Sequence, residues 1–137
     1  MRKRRHYLLI LAALIVALLL CVTACSKTAG VADDGTVKEV TLDVVQSDGS
    51  SSHYETSTQQ EFLKGLLDEI AETGGFSYEE NAGLIITVND ERADFNKDNA
   101  YWAIFVNDEY GQYGMDEQPV SDGDAFRLEY TPADSEF

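Results

Sequence analysis

Apolar and polar residues alternate along three short segments of this chain, a pattern that predicts half-buried β-strands. Residues 40–45, 84–88 and 126–130 have this alternation. Residues 101–106, with the sequence Tyr-Trp-Ala-Ile-Phe-Val, also predict a strand because aromatic and β-branched side chains favour a pleated surface. Asp48-Gly49 is typical of a hairpin turn, and it predicts that residues 52–56 return antiparallel to the first strand.

One segment has helical periodicity instead. Apolar residues recur every three or four positions between residues 62 and 70, which is the pattern of one buried helix face. Thr58 and Glu61 fit a capping box before this segment, and Gly74-Gly75 fits a helix end after it. The sequence therefore predicts a single helix at about residues 59–73.

The order of these elements predicts the fold class. A hairpin, a helix and three further strands indicate an α+β protein of the β-grasp kind, with a mixed sheet of about five strands packed on one helix. An α+β sandwich with different strand pairing is the alternative, because strand order cannot be read from one sequence. In the strand at 101–106 we expect the face bearing Trp102 to contact the helix, which leaves Tyr101 and Phe105 pointing at solvent.

The first 25 residues have a separate character. A basic start is followed by 16 apolar residues, from Tyr7 to Val22, and then by Thr23-Ala24-Cys25. This order is typical of a secretory signal peptide, and the apolar run is shorter than the ~20 residues that span a bilayer. Residues 22–25 resemble the lipobox of bacterial lipoproteins, in which the cysteine is lipidated and begins the mature chain.

These patterns predict the organisation of the whole chain. We expect a lipoprotein signal peptide at residues 1–24, a lipidated Cys25 with a flexible tether to residue 35, a domain at 36–132 and a tail at 133–137. The lipid on Cys25 would hold the domain at the outer face of the bacterial cell membrane, outside the cytoplasm.

The net charge of the chain limits the classes of molecule that it can bind. The chain has 25 acidic and 10 basic residues, a formal net charge of -15, and four of the basic residues lie within residues 2–5. So acidic a domain repels phosphate backbones, which excludes nucleic acid as a partner. The same charge disfavours direct adsorption to anionic lipid, so the membrane contact is expected to come from the lipid on Cys25.

The sequence contains no recognisable catalytic or metal-binding pattern. Cys21 leaves with the signal and Cys25 carries the lipid, so no thiol remains for a disulfide, a metal or a nucleophile. His53 is the only histidine after the signal, and it stands in a serine-rich patch. Asp122-Gly123-Asp124 is more typical of a turn than of a cation site. We therefore expect no enzyme activity, no metal and no resident cofactor.

A longer motif carries a family resemblance. It comprises Tyr101-Trp102, a strand ending at Val106-Asn107-Asp108-Glu109, then Gly114, and Asp122-Gly123-Asp124 before the last strand. Over about residues 37–131 the chain resembles the C-terminal domain of transcobalamin and intrinsic factor, and the related bacterial domain of unknown function. The family usually has glycine at the position of Asp108.

The resemblance implies a β-grasp domain that binds soluble ligands. It also implies that Trp102 lies in the core and that Asn107 and Asp122 set turns. In the animal cobalamin carriers this domain closes over the corrin from one side while a helical domain holds the other. A corrinoid is therefore a possible ligand here, although this chain is too short to contain the helical partner.

The expected function is non-enzymatic binding of a small soluble ligand, or of an envelope protein. We expect the binding surface to combine the outer sheet face with the loop at residues 107–122, because loops carry function more often than cores do. The candidate contact residues are Tyr101, Phe105, Tyr110 and Tyr113, with Met115 on the same loop. The alternative is a structural or adhesive envelope module without a small-molecule ligand.

Overall fold

The computed structural model of this protein describes residues 35–134. Within them, eight strands and two helices follow one another along the chain. They are β1 (Lys38–Val45), β2 (Ser51–Thr58), α1 (Leu63–Thr73), β3 (Tyr78–Asn81), β4 (Leu84–Val88), β5 (Glu91–Arg92), α2 (Phe95–Asp98), β6 (Ala100–Val106), β7 (Glu109–Tyr110) and β8 (Ala125–Pro132). Neither helix in this part of the chain is long and apolar enough to cross a membrane.

The main sheet has five strands in the order β2-β1-β8-β6-β7. The central pair, β1 and β8, is parallel, and every other pair is antiparallel. One face of α1 contributes four buried apolar residues to a core shared with the inward face of this sheet, namely Leu63, Leu66, Leu67 and Ile70. The predicted α+β fold class, a mixed five-stranded sheet with one helix in the β-grasp arrangement, is confirmed.

The strand at residues 84–88 was expected in the main sheet, but the structure places it outside that sheet. It is the middle strand of a separate three-stranded sheet, β3-β4-β5. Two-residue turns connect these strands at Ala82-Gly83 and Asn89-Asp90, and all four turn residues have positive φ. Because β3 and β5 are only four and two residues long and carry several acidic side chains, no hydrophobic alternation marked them.

The predicted capping box is wrong, because α1 begins at Leu63 rather than near residue 59. Thr58 is the last residue of β2; its buried hydroxyl donates to a Glu69 carboxylate oxygen at 2.5 Å and accepts from the backbone N–H of Gln60. The first helical N–H groups, of Leu63 and Lys64, donate to backbone carbonyls of the segment after β7. These carbonyls take the place of a capping side chain, because they accept N–H groups that have no partner within the helix.

Polar residues in the turns before β7 and before β8 bond these two turns to each other and to the sheet. Asn107 and Asp108 have positive φ, so they form a tight turn between β6 and β7 without the glycine that the family usually has. The Asn107 side chain donates to Asp124 and accepts from the N–H of Ala125. Asp122, in the turn before β8, accepts the N–H of Glu39 at 2.8 Å, and this bond fixes that turn against the start of β1.

Gly123 has a φ of 83°, a conformation that strains any residue with a Cβ, and its N–H donates to the carbonyl of Glu39. Asp124 accepts the N–H of Ser121. The acidic groups of the Asp-Gly-Asp sequence therefore accept backbone N–H groups in a turn.

Candidate functional site

A cavity of about 550 Å³ lies along the edge of β6, on the side that faces the three-stranded sheet. Its walls are formed by β6, by residues 83–86, by residues 92–96 and by residues 110–114. The size is within the ~300–1,000 Å³ of typical small-molecule sites. The cavity is open to solvent on one side, so a ligand could be covered without being enclosed.

Exposed apolar side chains are concentrated at this cavity. Six large apolar residues are exposed in the described part of the chain, and four of them line it: Leu84 (69% exposed), Phe95 (61%), Tyr113 (54%) and Tyr110 (46%). Single exposed apolar residues are ordinary on protein surfaces, but a group of them around one concavity marks an interaction site. This grouping makes the cavity the candidate site.

Three of the four candidate contact residues from the sequence line this cavity: Tyr101, Tyr110 and Tyr113. The hydroxyl groups of Tyr101 and Tyr110 are hydrogen-bonded to each other. Gly114, from the family motif, also lines the cavity, and its carbonyl accepts the N–H groups of Glu117 and Gln118. The loop thus brings Tyr110 and Tyr113 beside the strand that carries Tyr101, as the sequence suggested.

Phe105 does not point at solvent as predicted, because it is only 7% exposed. The Arg127 guanidinium lies over its ring, 4.2 Å from the centroid, and the Tyr110 ring packs edge-on at 5.6 Å between centroids. The alternation of β6 was read correctly, but long side chains on the neighbouring strands cover this face. Phe105 supports Tyr110 from behind rather than lining the cavity.

Met115 is also placed differently from the prediction, since it is completely buried in the core. Its backbone carbonyl accepts the N–H of Lys64 at 3.0 Å. The segment that was expected to be a surface loop therefore turns inward between Tyr113 and Met115.

Leu84 and Phe95 line the cavity, but the sequence analysis did not predict them as contact residues. Leu84 follows the Ala82-Gly83 turn directly, so its side chain stands at a hairpin end. Phe95 is the one apolar residue in the polar run Asp94-Phe95-Asn96-Lys97-Asp98. An isolated aromatic residue in such a run was the available signal.

The polar groups at the cavity are largely paired with one another. Asp94 accepts the N–H of Asn96 and lies 3.3 Å from Arg92 and 3.5 Å from Lys97. The Asn96 N–H, followed by these two cations, lowers the pKa of Asp94, so its carboxylate stays ionised. The remaining lining is mostly apolar or neutral, which suits a ligand of low charge.

No group of three or more His, Cys, Asp or Glu side chains within residues 35–134 is arranged to hold a metal ion. His53 lies between Asp43 and Glu55, and its two ring nitrogens contact their carboxylates at 2.5 and 3.4 Å. The hydrogen bond to Asp43 raises the pKa of His53. This group lies on β1 and β2, away from the cavity.

Tyr101 provides a titration test of the cavity wall. Burial and the hydrogen bond to Tyr110 raise its pKa to about 12, above the ~10 of an unperturbed tyrosine. The neutral hydroxyl therefore favours the folded state below about pH 10, and this contribution is lost as the pH rises through about 12. We expect the tyrosinate absorbance difference between the wild type and Tyr101→Phe to be centred near pH 12. A difference centred at pH 10 would contradict the burial.

Comparison with known proteins identifies the family. Residues 36–131 match the family model described as Domain of unknown function (DUF4430). The chain belongs to this family. The match spans the residues that line the cavity, so in this chain the cavity lies within the matched region. No curated protein sequence matches this chain.

Two solved structures resemble the DUF4430 domain. A protein from Ruminococcus gnavus ATCC 29149, described as a "putative metal binding protein", has 29% identity and a TM-score of 0.60, over 69% of this chain and 97% of that one. Haptocorrin in complex with Cbi has 16% identity and a TM-score of 0.62, over 80% of this chain and 28% of that one. The DUF4430 domain thus spans little more than a quarter of haptocorrin, and this similarity establishes the transcobalamin-like fold alone.

Proposed function

We propose that this protein is a lipid-anchored, non-enzymatic binding domain that captures a soluble ligand or an envelope protein in the cavity beside β6. The observation that carries the proposal is the grouping of Leu84, Phe95, Tyr110 and Tyr113, exposed side chains that frame one concavity. Aromatic rings give large contact area at a small entropic cost, so such a frame suits reversible binding.

A corrinoid is the first ligand to test. Haptocorrin shares the fold and was solved with Cbi. A corrin ring with its side chains is larger than the cavity of about 550 Å³, so this domain would cover one side of it. The cavity's low charge agrees with such a ligand. The Ruminococcus gnavus protein suggests a metal instead, but the described residues offer no donor cluster for one.

The binding test compares a cavity variant with a matched surface variant. Leu84→Ser combined with Tyr113→Ser removes two exposed apolar side chains from the cavity, whereas Val37→Ser removes one, also about half exposed, away from it. We expect cobinamide, at a hundred times its dissociation constant, to stabilise the wild type and Val37→Ser by about 2.7 kcal/mol. The double variant should lose most of this shift. Equal shifts in all three proteins would place binding elsewhere.

The envelope location is tested separately. Cys25 lies outside the described residues, and the proposal rests on the lipobox-like sequence Val22-Thr23-Ala24-Cys25. Cys25→Ser should release the protein from the membrane fraction and leave a longer, unprocessed precursor. Membrane association and chain length that do not change would contradict lipidation.

A further inference from the structure

The edge of β6 that faces the cavity is open at Ala100 and Trp102, in the first half of the strand. Hydrogen bonds from Asn107 to Ala125 and from Ala133 to Asn99 fix the pairing of β6 with β8, so residues 101, 103 and 105 direct their backbone groups to β8. Ala100, Trp102 and Ile104 therefore direct theirs to the opposite edge. The carbonyl of Ile104 confirms this direction by accepting the N–H of Gly111 at 2.7 Å.

Only the end of this edge is covered by a strand. β7 pairs with Phe105 and Val106, and after Gly111 the chain leaves the edge. No strand in residues 35–134 pairs with the cavity side of Ala100 or Trp102. The backbone N–H and C=O of Trp102 thus form a donor and acceptor pair at the cavity, in the middle of a strand that is otherwise part of the core.

Apolar contacts lie where an added strand would need them. A strand paired with β6 would lie ~4.8 Å from it, within the cavity, with alternate side chains on opposite faces. The walls on either side carry Leu84, Phe95 and Tyr113, which can receive an apolar side chain. This combination of an open edge and side-chain pockets is the one that strand addition uses in peptide recognition.

Charge favours a basic segment over an acidic one. The described residues contain five basic and 22 acidic side chains, and four of the five basic ones are already paired with carboxylates. Asp116 has no basic partner among these pairs, and its carboxylate lies against Gly83 at the cavity wall. An incoming lysine or arginine would find such carboxylates free to pair.

We propose that an extended segment of a partner protein, carrying an apolar residue next to a basic one, adds to β6 at Trp102 and places the apolar side chain in the cavity. This inference rests on the proposed function, since it uses the same cavity, and it names the chemistry of the partner: an unfolded or exposed peptide strand. Hydrogen bonds to the backbone N–H and C=O of Trp102 would fix the register of the added segment. Contacts with Leu84, Phe95 and Tyr113 would select an apolar side chain on that segment.

The test uses the full chain in detergent and a library of capped hexapeptides, each with one fixed lysine and five randomised positions. Selected binders are resynthesised with an N-methyl group at each backbone position in turn. We expect one such methylation to weaken binding at least tenfold, because it removes the hydrogen bond to the Trp102 carbonyl. The same peptides should also lose at least tenfold on the Leu84→Ser and Tyr113→Ser double variant, but not on Val37→Ser.

Residue-resolved hydrogen exchange distinguishes strand addition from other binding in the cavity. The Trp102 amide should exchange at least tenfold faster than that of Ala103 in the free protein, and should become protected when a selected peptide binds. Peptide binding without protection of Trp102, no effect of N-methylation, or a library without binders would each overturn the inference. Cobinamide binding that leaves Trp102 unprotected would retain the proposed function while this inference fails.

Discussion

Replacing Trp102 with alanine should lower the free energy of unfolding by about 3–5 kcal/mol, the range for large aromatic residues in cores. The indole is 5% exposed, its Nε1 donates to the carbonyl of Glu91 at 3.2 Å, and its ring packs edge-on against Tyr130. The substitution therefore leaves a large void and an unsatisfied carbonyl between the main sheet and β5. Denaturant titration with an unchanged slope would report the loss as a change in midpoint.

Tyr113→Ala is the matched control, because it removes an aromatic ring that is 54% exposed. Its effect on the free energy of unfolding should stay within about 0.5 kcal/mol. A loss below about 1 kcal/mol for Trp102→Ala would mean that the ring is not part of the core. Equal losses for the two variants would contradict the difference in burial on which the site is built.

Three strands of the main sheet, β1, β6 and β8, were predictable because they are seven or eight residues long and bury apolar residues. β1 buries Val40, Leu42 and Val44 in strict alternation, and β8 does the same with Phe126 and Leu128. A period of two over several residues matches the geometry of a strand with one buried face and does not match that of a helix. The parallel pairing of β1 with β8 joins the two ends of the domain and was not predicted, because no local pattern encodes strand order.

The start of α1 was not predictable from local sequence. Thr58 and Glu61 have the spacing of a capping box, but Thr58 instead ends β2 and bonds to Glu69. The true start at Leu63 is set by backbone carbonyls of Met115 and Gln118, more than 50 positions away. A tertiary contact therefore sets the start of the helix in place of a capping residue. Helix propensities and capping preferences describe neighbouring residues only, so they cannot predict such a contact.

The candidate site was predicted in part, for a similar reason. The aromatic residues on β6 and the following loop are close in sequence, so Tyr101, Tyr110 and Tyr113 could be grouped from the chain alone. Leu84 and Phe95 reach the cavity only because the three-stranded sheet packs beside β6. The open edge at Trp102 depends on β7 being two residues long, which no pattern of side chains revealed.

Met115→Ala should lower the free energy of unfolding by about 2–5 kcal/mol, although the residue lies in a segment that reads as a polar surface loop. The side chain is fully buried with the core residues of α1 and the main sheet, so its truncation removes packing without relieving any strain. Met115→Leu keeps the volume and should cost less than about 1.5 kcal/mol. Both effects can be read from the denaturant midpoint alongside Tyr113→Ala, two positions earlier in the chain.

If Met115→Ala were as mild as Tyr113→Ala, residues 111–118 would be a mobile loop and could not support the start of α1. A large loss would instead show that the loop carrying the binding residues is anchored in the core, which holds Tyr110 and Tyr113 in place at the cavity.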